Sequence, residues 1–448
     1  WLMKFWSVVF SMCAVSCGGI ARLGDGVGSV ADAGAGPVAV AVAAPDAGAD
    51  AGAGALADAG AGGGVPVGDP ACAANGCLRA VQFVGSYSRA VLATYVERDG
   101  AIENGYDIYV VRFATDGRES TATVTIPYDF DGAPPSGGWH VVGNNHGTIG
   151  LDDACAPSAT VLGAGHAGLW GARGFIGVAV DYPGLGTPGL HPYLVSRVEG
   201  TSALDGLRAA REFARALGVA TSGRFAMVGL SQGGHATLAA AALHAAYAPD
   251  LDVRALGAAA PASVWEAHWA PGVWVSGPHI SMHAMLIYAW AKFYAWPTDR
   301  ALWTPAMAAR IDDLMTTLCL WSPTGGATLL NSFPEDPAEV FDAAFLAAYR
   351  NRIWGAYRFV HDAFEVNAVR AFAQSAPLRI YQGTADTTVM QSLTDQLVAA
   401  LRLGGMVIDY QVVPGGTHLT TAFGVLAKKD LRTDESIAWL RARLNAAP

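Results

Sequence analysis

The chain has 448 residues, enough for one large hydrophobic core or two domains, and a net charge of −10 at pH 7. It contains no basic run and no cluster of Lys and Arg with interleaved aromatic residues, which argues against a nucleic-acid partner. The mild acidity bears on solubility and indicates no particular function.

The N-terminal segment has the pattern of an export signal. Residues 5–15 are mostly apolar and too few to span a bilayer, which is typical of the central region of a signal peptide. They lead into Ala-Val-Ser-Cys, which resembles a bacterial lipobox ending at Cys17. We expect residues 1–17 to direct export and Cys17 to carry lipid that tethers the chain to a membrane. Cleavage nearby with plain secretion is the alternative.

The composition divides the rest of the chain into four parts. Residues 18–70 are rich in Ala and Gly, bury little large apolar surface, and are predicted to form a disordered tether. We expect a core domain in two pieces, 71–261 and 373–448, separated by an inserted helical cap over 262–372.

Four cysteines follow the tether. An even number in an exported protein indicates two disulfides, for which three pairings are possible. The short separation of Cys72 and Cys77 favours that pair, and Cys155 would then pair with Cys319. Neither CxxC nor zinc-finger spacing is present, and we predict no metal and no cofactor.

Strand and helix patterns alternate through the core. Residues 106–113 and 121–126 are rich in β-branched and aromatic residues and are expected to pair as antiparallel strands. Strands over 139–143, 175–180, 225–229, 253–260 and 407–413, and one beginning at Leu378, then alternate with helices over 202–217, 232–247, 391–402 and 433–444. Ser202, with Asp205 three residues later, resembles a capping box at the start of its helix. The alternation predicts an α/β fold with a mostly parallel sheet and helices on both faces.

The cap is rich in Trp, Tyr and Phe and shows no strand pattern. Met282, Leu286, Trp290 and Phe293 recur at helical spacing. This stripe either packs inside the cap or faces the active site, in which case Trp290 and Phe293 bind the substrate acyl chain. His279 and His283 are four residues apart, a spacing that two metal ligands could use, but no carboxylate motif accompanies them and we expect a structural role.

The stretch Gly229-Leu230-Ser231-Gln232-Gly233 lies between a predicted buried strand and a predicted helix. A Gly-x-Ser-x-Gly in this context is the nucleophile elbow, a turn so sharp that a Cβ at either glycine would clash. We therefore expect Ser231 to be a nucleophile and the backbone N–H of Gln232 to face a developing oxyanion. A second donor is expected at the N–H of Thr148, which follows a strand and His146-Gly147.

Two further residues complete a predicted catalytic triad. Asp386 follows a strand in a Gly-x-x-Asp turn and His418 follows the last strand, so nucleophile, acid and histidine occur in α/β-hydrolase order. Asp395 and Asp409 are competing acids, but they lie within a predicted helix and a predicted strand.

A set of motifs resembles the secretory lipase family, the lipase A type of fungi and bacteria. The motifs are His146-Gly147-Thr148, Asp153-Ala154-Cys155-Ala156-Pro157-Ser158, Asp181-Tyr182-Pro183-Gly184-Leu185-Gly186, His191-Pro192-Tyr193 and Gly229-Leu230-Ser231-Gln232-Gly233-Gly234-His235. The resemblance implies an α/β-hydrolase core with a helical cap, hydrolysis of carboxylic esters including acylglycerols, and a triad of Ser231, Asp386 and His418. Fungal members carry an acidic residue near the oxyanion loop, where this chain has His-Gly-Thr.

The sequence therefore predicts an exported lipase or esterase. A serine peptidase or an acyltransferase of the same fold is an alternative, although the aromatic cap has few charges to bind a peptide terminus. A non-catalytic binding protein on this scaffold is a third reading, and retention of all three triad residues argues against it.

Overall fold

The computed structural model describes residues 68–94, 102–263, 266, 277–296, 299–322, 326–421 and 432–447. The predicted signal peptide, Cys17 and nearly all of the predicted tether lie outside these residues. One nine-stranded sheet organises the described chain. Its strands are β1 Leu78–Tyr87, β2 Gly105–Thr115, β3 Arg118–Tyr128, β4 Trp139–Asn145, β5 Ile176–Val180, β6 Thr221–Leu230, β7 Asp252–Ala259, β8 Leu378–Gly383 and β9 Ile408–Val413.

Helices connect most of the parallel strands and form the insertion before β8. Those of the core are α1 Arg89–Ala93, α2 Val161–Gly171, α3 Ser196–Ala216, α4 Gln232–Tyr247, α12 Gln391–Leu403 and α13 Thr433–Asn445. Those of the insertion are α5 Gly277–Phe293, α6 Pro305–Ala308, α7 Ile311–Thr317, α8 Leu329–Ser332, α9 Pro337–Val340, α10 Ala343–Asn351 and α11 Arg358–Asn367.

The strand order is β1-β2-β3-β5-β4-β6-β7-β8-β9. The pairs β1–β2, β2–β3 and β3–β5 are antiparallel. The pairs β5–β4, β4–β6, β6–β7, β7–β8 and β8–β9 are parallel. The predicted mostly parallel sheet is therefore confirmed. Because β6, β8 and β9 run in the same direction, the loops that follow them leave the same edge of the sheet.

The sheet is covered on both faces, as predicted. Along β6, Met227 contributes to one apolar core, which also holds Leu207 of α3 and Leu397 of α12. Its neighbour Val228 contributes to a second core on the opposite face, with Trp170 of α2 and other residues of α2 and α13. Strands buried on both faces explain the near-continuous apolar runs of the sequence.

The described part of the insertion between β7 and β8 consists of helices joined by loops and adds no strand to the sheet. It has an apolar core of its own, formed by large side chains from α5 to α11 together with the 193–198 segment of the core domain. Members of this core include Trp290, Trp303, Phe341, Phe345, Tyr349 and Phe364.

Most predicted elements are present to within a few residues, but one prediction is wrong. The helix predicted from Ser202 begins at Ser196, with Val195 as its N-cap residue. The Ser202 hydroxyl donates to the carbonyl of Glu199 inside the helix and caps nothing. Small and polar residues in its first turns conceal this part of the helix from a search for an apolar stripe.

Both disulfides predicted from the sequence are present, Cys72–Cys77 and Cys155–Cys319. The second joins the segment after β4 to the insertion. Next to it Gly150 and Cys319 form an isolated antiparallel bridge, and the N–H of Leu320 donates to Ile149 O at 2.8 Å. The cross-link therefore ties the cap to the loop that contains Thr148.

Candidate active site

Ser231 occupies a strained turn between β6 and α4. Its φ of 60° and ψ of −117° are unusual for a residue with a side chain, and such strain is found mostly at functional sites. The turn is possible only with the two flanking glycines. A Cβ on Gly229 would lie 2.2 Å from the carbonyl oxygen of Gly233, and a Cβ on Gly233 would lie 1.9 Å from that of Asn145. The clash inferred from the glycine spacing is thus present on both sides of Ser231.

The loop after β4 packs directly against this turn. A Cβ placed on Gly147 would be 3.7 Å from the Cβ of Ser231 and 3.3 Å from the carbonyl oxygen of Leu230. The next residue, Thr148, is therefore close to the elbow, and its hydroxyl lies 2.9 Å from the Tyr193 hydroxyl. Gln232 is the first residue of α4 and is 1% exposed. The structure brings both predicted oxyanion residues to the vicinity of Ser231.

Asp386 and His418 form a hydrogen-bonded pair at the same edge of the sheet. Nδ1 of His418 lies 2.8 Å from Oδ2 of Asp386. The other carboxylate oxygen accepts from the N–H groups of Thr388 at 2.8 Å and Val389 at 2.9 Å. Asp386 is thereby held as an acceptor for an imidazole N–H, which is the arrangement of acid and base in a catalytic triad.

The competing acids have other partners. Asp409 accepts from the Arg379 guanidinium at 2.6 Å, and Asp395 accepts from the Tyr410 hydroxyl at 2.6 Å. Neither makes a described contact with His418, so geometry favours Asp386.

A cavity opens at Ser231. Its described lining combines the elbow, the loop after Asp386 and the first turns of α5: Tyr193, Ser231, Ala262, Ser263, His279, Met282, His283, Thr388, Val389 and Leu393. Nε2 of His279 donates to the carbonyl of Thr387 at 3.1 Å, which links the cap to the loop that contains Asp386. The cavity is therefore closed on one side by the cap.

The predicted apolar stripe divides between cavity and cap core. Met282 lines the cavity, but Trp290 is fully buried, packs edge-on against Phe364, and donates its indole N–H to the carbonyl of Tyr193 at 3.0 Å. Phe293 packs against Tyr294 and beneath the guanidinium of Arg118. Neither Trp290 nor Phe293, predicted to bind the acyl chain, is among the residues described as lining this cavity.

The Asp181-Tyr182-Pro183 motif packs against the loop after β4 that contains His146 and Thr148. Tyr182 is fully buried, stacks on His191, packs against His146, and donates its hydroxyl to the carbonyl of His146. The Asp181 carboxylate accepts from the Ser158 N–H at 3.0 Å, and the Thr121 hydroxyl donates to it. Burial raises the pKa of Asp181 to about 7 and lowers the pKa of His191 to about 4. The sequence marked this motif only by resemblance.

Metal binding and membrane spanning find no support in the described part of the chain. None of its helices is long and apolar enough to cross a bilayer. His279 and His283 have no third metal-ligating residue with which they could form a site among the described residues. His283 instead uses Nδ1 to contact the carbonyl oxygen of His279 at 2.8 Å.

Part of the chain matches a known protein family. Residues 170–267, which contain Ser231, match the model of the secretory lipase family. The chain is similar to secretory lipases. The resemblance stated from the sequence is confirmed by this match. No curated protein sequence matches the chain significantly.

Solved structures share the fold at low identity. A protein from Legionella pneumophila has a TM-score of 0.68 at 20% identity, covering 83% of this chain and 100% of its own. The rice cell wall degrading esterase LipA from Xanthomonas oryzae has a TM-score of 0.66 at 20% identity, covering 83% and 98%. Lipase A from Candida antarctica in its closed state has a TM-score of 0.58 at 16% identity, covering 78% of each chain. Together with the family match, these similarities support a carboxylic ester hydrolase.

Proposed function

We propose that this chain is an exported serine hydrolase that cleaves carboxylic esters through an acyl-enzyme. The observation that carries the proposal is the strained Ser231 elbow at the sheet edge that also holds the hydrogen-bonded Asp386–His418 pair. Similarity to the secretory lipase family adds to it.

Each residue has a defined role in the reaction. His418 takes the proton from Ser231 Oγ as the oxygen attacks the ester carbonyl, and later gives it to the departing alcohol. Asp386 holds the imidazole in one tautomer and stabilises its charged form. The N–H groups of Gln232 and Thr148 stabilise the oxyanion of each tetrahedral intermediate. Water then attacks the acyl-enzyme with His418 as the base.

The acyl group occupies the apolar part of the cavity at Ser231. Met282, Val389 and Leu393 line this cavity beside Ala262, and none carries a charge. Apolar pockets with few polar groups suit acyl chains, and this favours esters over peptides. The acyl-chain pocket is therefore assigned to these residues in place of Trp290 and Phe293.

The location of the protein is part of the same proposal. Two disulfides are typical of exported proteins, and the pattern of residues 1–17 supports export. Lipidation at Cys17 would hold the enzyme at a membrane. Intact-mass measurement of the mature protein tests this, and an unmodified N-terminus downstream of Cys17 would contradict it.

Hydrolysis of p-nitrophenyl esters from short to long acyl chains tests the activity. Ser231→Ala should remove it, by roughly a millionfold if this triad behaves as comparable ones do. The matched control is Ser263→Ala, since Ser263 is a second serine in the same cavity and should be dispensable for acyl transfer. An inactive wild-type enzyme, or loss in Ser263→Ala with retention in Ser231→Ala, would overturn the proposal.

A further inference from the structure

Glu199 is a fully buried carboxylate that the triad mechanism does not use. We propose that it is a positioning residue that holds the segments carrying both oxyanion donors. The inference rests on the proposed function, because it assigns a role within that active site. Glu199 lies in the first turn of α3, a part of the helix that the sequence did not predict.

Three donors from two segments, the elbow helix α4 and the stretch before α3, converge on the Glu199 carboxylate. Oε1 accepts from Nε2 of Gln232 and from the N–H of Leu194, both at 2.8 Å. Oε2 lies 2.7 Å from Nδ1 of His235 on the elbow helix. Glu199 and His235 are both 0% exposed. A buried charge is costly unless it is paired and fully hydrogen-bonded, and this one is.

His235 connects the Glu199 carboxylate to the start of α3 and the end of α11. Its Nε2 lies 3.0 Å from Oγ of Ser196 and 3.2 Å from the carbonyl oxygen of Asn367. Ser196 donates its own hydroxyl proton to that same carbonyl, so its oxygen has lone pairs to offer His235. Because a carboxylate oxygen only accepts, Nδ1–H of His235 donates to Glu199, and the other ring nitrogen is held by Ser196 and Asn367. Asn367 ends α11, so the pair also contacts the end of the cap.

Both hydrogens of the Gln232 side-chain amide are used in hydrogen bonds. His191 donates Nδ1–H to the carbonyl of Pro183, so its Nε2 accepts from the Gln232 amide at 2.7 Å. The lowered pKa of His191, caused by burial, keeps the ring neutral for this purpose. The two amide hydrogens are thus taken by His191 and Glu199. Because Gln232 supplies a proposed oxyanion donor from its backbone, fixing its side chain fixes the direction of that N–H.

The hydrogen bond from Leu194 to the same oxygen, Oε1, connects Glu199 to the segment beside Thr148, the second proposed oxyanion donor. Leu194 has a φ of 54°, a strained value for a branched side chain, and its N–H is held by Glu199. The preceding residue, Tyr193, lines the cavity and contacts the Thr148 hydroxyl. One carboxylate thereby supports the residues on both sides of the proposed oxyanion hole.

The variant Glu199→Gln tests this role, because it removes the charge and keeps the shape. The amide has one acceptor oxygen where the carboxylate has two, so it can accept from His235 or from Gln232 and Leu194 but not from both sides, and the negative charge is lost. We expect kcat to fall by about tenfold or more, since small misplacement of catalytic donors is costly in rate, with KM changed by less than about threefold. Binding of an alkylboronic acid, whose adduct with Ser231 carries an oxyanion, should weaken by the same factor as kcat.

The matched control is Asp205→Asn on the same helix. Asp205 is also fully buried, and its carboxylate accepts from Arg208 and Tyr247 away from Ser231. Asp205→Asn should lower Tm and leave kcat and boronic acid affinity unchanged. A Glu199→Gln enzyme that loses only Tm, as this control does, would overturn the positioning role.

A second variant covers the case in which Glu199→Gln does not fold. Gln232→Met keeps the buried Glu199–His235 pair and deletes the hydrogen bonds of Gln232 to Glu199 and His191, so kcat and boronic acid affinity should fall together. Wild-type values for both in Gln232→Met would also overturn the role. An inactive wild-type enzyme would refute the proposed function and this role with it, whereas an active enzyme with indifferent variants refutes this role alone.

Discussion

The residues at the sheet edge and the residues of the cap are positioned by different kinds of interaction. At the edge, Ser231, Asp386 and His418 each follow one of the parallel strands of the sheet. Close contacts fix the backbone there, because a Cβ on Gly233 would collide with the carbonyl oxygen of Asn145. In the cap, Met282 and Trp290 belong to one helical stripe, yet the first lines the cavity and the second is buried in the cap core.

This difference predicts which substitutions should change catalysis and which should change stability. At the edge, a change of one side chain should alter chemistry and leave packing nearly intact. In the cap, a similar change should alter packing first, unless the residue lines the cavity. The following variants test that division in order of decreasing expected effect.

After loss of the proposed nucleophile, the largest effect is expected at Asp386, the proposed triad acid. Asp386→Asn keeps an oxygen for the N–H groups of Thr388 and Val389 but favours the wrong imidazole tautomer. We expect kcat to fall by about ten-thousandfold, as in a comparable triad, with Tm nearly unchanged. Asp409→Asn is the control and should retain activity; an active Asp386→Asn beside an inactive Asp409→Asn would show that the acid is wrongly assigned.

Removal of the cap disulfide should cost stability. Cys155 and Cys319 are 164 residues apart, for which the chain-entropy estimate is about 5 kcal/mol. The Cys72–Cys77 pair spans only 5 residues, for which it is about 2 kcal/mol. Urea unfolding of the two double Cys→Ala variants should rank them in this order. Equal losses would mean that the long cross-link does not restrain the unfolded chain.

Within the stripe, Trp290→Ala and Met282→Ala should behave differently. Trp290 is fully buried, and truncation of such a residue costs about 3–5 kcal/mol, so thermal stability should fall with little change in chain-length preference. Met282 lines the cavity, so Met282→Ala should change the ratio of kcat/KM between long and short esters. Should Trp290→Ala instead shift that ratio with stability intact, the pocket lies along the whole stripe.

The smallest effect concerns the pH dependence of stability at Asp181. Its pKa is raised by burial from 3.8 to about 7, so the native state binds the proton more tightly than the unfolded chain does. Its contribution to stability is therefore full below about pH 4 and is lost as pH rises to about 7. The lowered pKa of His191 acts in the opposite direction. The difference in Tm between Asp181→Asn and wild type isolates the carboxyl and should grow in favour of the variant from pH 4 to 7; parallel curves would contradict it.

The sequence allowed the edge to be predicted because its determinants are local. Glycine spacing around Ser231 and the turn before Asp386 can be recognised without knowledge of any distant residue. Glu199 was missed for the opposite reason. Its partners Gln232 and His235 lie more than thirty residues further on, and Gly200, Thr201 and Ser202 concealed the first turns of its helix. A buried carboxylate of this kind leaves no periodic signal.

The sequence indicated what kind of segment the cap is, but not the direction in which its side chains point. Its aromatic residues and lack of strand patterns indicated a helical cap over the active site, whereas the direction in which each side chain points depends on segments up to about a hundred residues away in sequence. Trp290 shows this, because its partners Tyr193 and Phe364 lie far from it on either side along the chain.

The claim that Ser231 is an acylating nucleophile can be tested by covalent labelling with a fluorophosphonate. Wild-type protein should lose activity as one label is attached, and peptide mass spectrometry should locate that label on Ser231. Ser231→Ala should remain unlabelled under the same conditions, while Ser263→Ala should be labelled like wild type. A label on any other residue, or a wild-type enzyme that hydrolyses esters without reacting, would contradict the account.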